Sequence, residues 1–216
     1  MAGRGSAGIR ERTYPDGRLE ILTGTGLSAA AGLNAYIPML LLGLLDRYTS
    51  LVQLPPEWAW LSNGWVLAII GALLVLEIVA DKVPVIDSVN DWLQTVVSPA
   101  AGGIVFGSGV SPETVRVSDP DAFFGSNQWI PVAIEIGIAL AVHLAKMSVR
   151  PVLNATTAGT AAPVVSTAED AASIGLSFAA VMLPVLVLVV LAVAMVVLWR
   201  VYRRARRRSR PADVGL

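Results

Sequence analysis

The stretch GWVLAIIGALLVLEIVADKV, residues 64–83, decides the fold class. It is 20 residues long, and a helix needs about 20 apolar residues to cross the hydrocarbon core of a bilayer. Its last third nevertheless carries Glu77, Asp81 and Lys82. A charge at the bilayer centre costs ~2.5–3.5 kcal/mol on insertion scales, so such charges persist where they pair, face a water-filled cavity or move ions. The reading is an all-α integral membrane protein with polar chemistry inside one of its helices.

The rest of the chain supports that class. Of 216 residues, 55% are hydrophobic and only 15% charged, against about a quarter charged in soluble domains; mean hydropathy is +0.66. Ile21–Leu45 and Ala171–Trp199 are uncharged runs of 25 and 29 residues. No cysteine and a single histidine disfavour disulfide, iron–sulfur and His-rich metal chemistry. No cofactor is expected. Residues 1–20 have seven charges and no apolar centre, so they read as a mobile tail rather than a cleavable signal. Residues 21–199 form one membrane domain. Residues 200–216 form an arginine-rich tail, placed in the cytoplasm by the positive-inside rule. There, Arg203, Arg204, Arg206, Arg207 and Arg208 suit anionic lipid headgroups; nucleic acid is not expected.

Four spans are expected, at about 21–45, 64–83, 129–149 and 171–199. Pro38 removes a backbone donor, which places a kink near Asn34; Asn34 either packs there or lines a polar path. Trp58, Trp60 and Trp65 put 54–65 at a membrane surface. Residues 96–111 hold Pro99, Gly102, Gly103, Gly107 and Gly109. They read as a broken or re-entrant segment, or else as a fifth crossing. Residues 65–99 align without gaps on 129–163, with seven identities that include Trp65/Trp129, Lys82/Lys146, Asn90/Asn154 and Pro99/Pro163. With four spans that duplication would be inverted, as in many secondary transporters.

Two helices carry the candidate chemistry. Glu77 and Asp81 lie one turn apart on one face, and of two carboxylates so placed in low dielectric one is expected to hold a proton near neutral pH. Lys82 lies off that face and can snorkel to the interface; all three could also simply reach headgroup water. In 129–149, Glu135, His143 and Lys146 fall within a narrow sector, Glu135 and Lys146 differing by ~20° in direction and ~16 Å in height. They form a titratable line, or a structural one. The Asp87/Asn90/Asp91 set and the Asn154/Glu169/Asp170 set follow the two polar helix ends, and such oxygens suit hard cations, though their spacing fits no EF-hand. Ser166-Thr-Ala-Glu169 reads as a capping box before the last span, with Asp170 in its first turn.

Gly26-Leu-Ser-Ala-Ala-Ala-Gly-Leu-Asn-Ala-Tyr-Ile-Pro38, the segment Glu77 to Asp91 (EIVADKVPVIDSVND) and His143-Leu-Ala-Lys146 resemble the domain of unknown function 4126 family, from about residue 22 to 198. The resemblance implies a multi-pass bacterial membrane protein and brings no activity, substrate or catalytic residue. Glu77-Ile-Val-Ala-Asp81-Lys82 also resembles the Glu-x-Gly-Asp-Lys signature of small duplicated cation/proton exchangers. Here, however, the carboxylates are four apart, glycine is absent and Val83 replaces the hydroxyl residue, so no role is carried over.

The resulting expectation is a protein that moves a small solute or ion, by cation or proton coupling, through a polar site lined by Glu77, Asp81, Asn90, Asp91, Glu135, His143, Lys146 and Asn154. A non-catalytic membrane scaffold is the alternative, and a lipid-modifying enzyme a third class. The partners expected are membrane lipids at the arginine tail, a second copy of the chain, and a solute the sequence does not name.

Overall fold

The computed structural model describes residues 17–109, 125 and 129–208. Among these the chain is all-helical: α1 (Gly17–Leu33), α2 (Tyr36–Tyr48), a 3₁₀ helix (Pro56–Ser62), α3 (Gly64–Ala80), α4 (Pro84–Gly109), α5 (Trp129–Thr157), α6 (Ala162–Met182) and α7 (Pro184–Arg208). Among the described residues two helices, α5 and α6, are long and apolar enough to cross a membrane. The link at 112–127 falls almost wholly outside the described residues, and residues 1–16 of the expected tail are outside them too.

Proline sets several of the boundaries. Pro56, Pro84 and Pro184 each open an element and Pro163 is the second residue of α6, where a missing N–H costs nothing because the first-turn donors have no intrahelical partner. Pro184 thereby splits the expected last span, 171–199, into parts of α6 and α7. The expected kink in 21–45 is a full break. Asn34 Oδ1 accepts from the N–H of Tyr36 at 3.0 Å and of Ile37 at 3.2 Å, capping α2, and Pro38 sits harmlessly in the capped first turn. α1 and α3 both end near Lys146 and Asp81, whereas Arg47, at the end of α2, lies beside Gly64, at the start of α3. The chain therefore reverses at Asn34–Ala35, and 21–45 is not one continuous helix.

The segment expected to be broken at 96–111 is helical through Gly109, as part of α4, with Pro99 inside it. Its glycines serve packing. A Cβ on Gly102 would lie 2.6 Å from Ala139 Cβ, and one on Gly26 2.7 Å from Ala180 Cβ. Small residues of this kind let helix backbones approach closely. α1 is central, contacting α4, α5, α6 and α7, and α4 packs along α5. Leu27, Ala30, Ala31, Val105, Phe106, Ala180 and Val187 fill the space between them. α2, the 3₁₀ helix and α3 form a flanking layer.

The polar stretch 150–170 is also helical. α5 continues to Thr157 and turns at Ala158 and Gly159, which have positive φ, with Gly159 N–H donating to Asn154 O at 2.9 Å. α6 therefore starts before Ser166, so Glu169 and Asp170 lie inside a helix and cap nothing. The 64-residue duplication does not recur in the element ends. α3 stops at Ala80, while its counterpart position, Leu144, is in the middle of α5.

The packing predicts opposite outcomes at two helical glycines. Gly102→Val should lower stability by ~1–3 kcal/mol through overpacking, whereas Gly71, with nothing within 4 Å of a new Cβ, should accept alanine without loss. Thermal unfolding of the purified protein measures both; equal midpoints for the two variants would contradict the close α4–α5 contact.

Candidate functional site

The buried residues of α5 are Glu135, Ala139, His143, Lys146 and Arg150. Steps of three or four residues keep them on one face, so a single helix points four ionisable side chains inward. Lys146 and Arg150 are 6% and 5% exposed. Burying such cations is expensive unless they are paired and hydrogen-bonded, and three other helix segments supply the partners.

From the C-cap of α3, Asp81 places Oδ2 at 2.8 Å from Arg150 Nη2 and 3.5 Å from Lys146 Nζ. From the second turn of α4, Asp91 Oδ1 lies 3.6 Å from Arg150 Nη1 and 4.0 Å from Lys146 Nζ. From α6, Glu169 accepts from Arg150 Nε at 3.3 Å and pairs with its Nη2, and lies 3.7 Å from Lys146. Lys146 also donates to Leu33 O at the end of α1, at 3.1 Å, and Asn90 donates to Asp81 Oδ1 at 2.7 Å. Three carboxylates thus surround two cations. Asn34 extends the network by donating to Asp170 Oδ1 at 2.9 Å.

Glu77 stands one turn above Asp81, 3% exposed. Gln94 of α4 donates to its Oε1 and accepts from Ser98 at 3.2 Å, but Glu77 Oε2 is buried without a hydrogen-bond partner. His143 is fully buried, with Nε2 3.0 Å from Asp91 O and 3.3 Å from Thr95 Oγ1. A carbonyl only accepts, so in the neutral ring Nε2 carries the hydrogen and Nδ1, which has no partner, is the free base. Glu135 lies toward the other end of the face, where Thr25 donates to its Oε1 at 2.7 Å.

The structure therefore gathers Asp81, Asn90, Asp91 and Lys146 in one cluster, sets Glu77 and His143 beside it, and places Glu135 apart. Asn154 is left out, its described role being the backbone bond that closes α5. Lys82 folds back on Ile78 O at 3.1 Å. Arg203 is exposed and lies over the Trp199 ring at 4.2 Å. The side chains of Arg204, Arg206, Arg207, Arg208 and Asp87 lie outside the described residues. Sequence reasoning missed Arg150 and Gln94, and it explained Glu169 and Asp170 by capping rather than by ion pairing. Arg150 was within reach of it, being one turn beyond Lys146 on the same face. Among the described residues no three of His, Asp and Glu are placed to hold a metal ion together.

The model of a domain of unknown function, DUF4126, matches residues 21–204. The chain belongs to the DUF4126 family. No curated protein and no solved structure matches it. The match covers every residue of the DUF4126 chain placed in the cluster above.

Removing one partner of a buried pair costs about 3–5 kcal/mol because the other charge is left uncompensated. Arg150→Met should destabilise the protein by that amount, and Asp81→Asn with Arg150→Met by less than the sum of the two single changes. Denaturant unfolding of the four proteins in the cycle measures the coupling, and strict additivity would contradict a shared network.

Proposed function

We propose that this DUF4126 protein is a multi-pass protein of the bacterial cytoplasmic membrane that moves a small cation, or a solute coupled to a cation or proton, through the polar interior between α3, α4 and α5. One observation carries the reading: the buried interior holds more carboxylate than cationic charge. Asp81, Asp91 and Glu169 face two cations, and Glu77 adds a further buried acid with an unpartnered oxygen. A cation or proton is what such a surplus recruits.

The outer surface fits a lipid environment. Leu76 is 65% exposed beside Glu77 at 3%, and Ile69, Val75 and Val79 are exposed on the same helix. Soluble monomers rarely present apolar patches of that extent. On this reading the protein crosses the membrane several times and its C-terminal arginines meet anionic headgroups on the cytoplasmic side. A second copy of the chain is the expected protein partner. Because the ion pairs also tie α3, α4, α5 and α6 together, a scaffold without transport is the competing reading.

Reconstituted in liposomes, the protein should carry proton or monovalent-cation flux that Glu77→Gln reduces at least tenfold while the variant remains folded. Flux equal in the two proteins would remove Glu77 from the pathway. Flux absent from both, across protons and monovalent and divalent cations, would favour the scaffold.

A further inference from the structure

Glu135 is in a different situation from the carboxylates of the cluster. It is 3% exposed, and no lysine, arginine or histidine among the described residues pairs with it. The groups acting on its carboxyl are the hydroxyls of Thr25 and Ser28, both on α1. From α4, the neighbour packed against this turn of α5 is Gly102. On α5 itself the next ionisable group along the face is His143, eight residues and ~12 Å of rise away.

Burial and the shortage of partners decide what this carboxyl can be. Thr25 donates its hydrogen to Oε1. Ser28 donates to Gly102 O at 3.1 Å. Oε2 is buried with no hydrogen-bond partner. An ionised carboxylate would leave that oxygen desolvated and without a counter-charge, which is costly. A neutral carboxylic acid avoids the cost of a buried, unpaired charge.

We propose that Glu135 is a proton-binding site separate from the ion-pair cluster, occupied in the resting protein, and that the proton is the ion to which transport is coupled. The second part rests on the transport reading above; the proton on Glu135 does not. Glu135 would hold the proton near one end of the α5 face, and His143 Nδ1 is the next free base along it.

Infrared spectroscopy of the full chain in liposomes tests the site directly. At neutral pH a carboxylic-acid carbonyl band, shifted by deuterium oxide, should be present, lost in Glu135→Gln and retained at a shifted position in Glu135→Asp. Thr25→Val, which removes the hydrogen bond to Oε1, should move the same band in a protein whose glutamate is intact. A spectrum in which neither Glu135→Gln nor Thr25→Val changes the acid carbonyl region overturns the proposal. If the band behaves as stated but wild-type liposomes carry no flux, the site stands and the transport reading fails. If they carry cation flux without proton movement, the coupling assignment fails.

Discussion

Two cations on one helix, Lys146 and Arg150, constrain much of this molecule. Each is buried, and each must meet carboxylates from other segments at the same time. Asp81 comes from the end of α3, Asp91 from the start of α4 and Glu169 from α6. Leu33 O, at the end of α1, takes a further bond from Lys146. The network fixes where α1 and α3 end and where α4 begins, and it holds the α3–α4 corner against α5 and α6. Buried ion pairs are weak evidence for stability, since well-packed apolar residues often do as well. Their effect here is geometric: they hold the ends of α1 and α3, the start of α4 and one turn of α6 against a single face of α5.

The remainder of the packing is compatible with that arrangement because it is thin. Gly26 and Gly102 let α6 and α5 come close to α1 and α4, and the interior between them is built largely of alanine, serine and valine. Ser28 and Ser173 return their hydroxyls to backbone carbonyls, Gly102 O and Ala30 O. The interior therefore has room for polar groups near the helix axes while large apolar side chains face outward. That is the reverse of the distribution in a soluble domain, where charges are outside and unpaired only at the surface.

Much of this was legible in the sequence wherever a helical period carried it. Glu77 with Asp81, and Glu135 with His143 and Lys146, share faces by spacing alone, and the structure turns those faces inward. Arg150 escaped because the apolar run ends at Val149, although the helix does not. Charge at a helix position says nothing against the helix when partners wait across the interface. Glu169 and Asp170 were visible as acids but were given to a capping box, a local pattern, because their partners, Arg150 and Asn34, lie outside that pattern. Gly102, Gly103 and Pro99 suggested a broken segment by propensity. Packing against Ala139 and Ile136 overrides that propensity, since a larger residue at 102 would separate the helices. The reversal at Asn34 needed Asp170 to be visible, because a lone Asn before a Pro reads equally well as a kink.

The proposed function depends on a polar interior enclosed by a lipid-facing apolar surface. The absence of native cysteine permits a direct test by single cysteine labels. Spin labels at Ile69, Leu76 and Val79, in the protein reconstituted in bilayers, would be examined for collision with oxygen and with a water-soluble nickel chelate. High oxygen and low nickel accessibility are expected at all three positions. Nickel accessibility matching that of a label in the 3₁₀ segment at Trp60 would contradict the proposed function, because the buried charges would then lie within a protein surrounded by water.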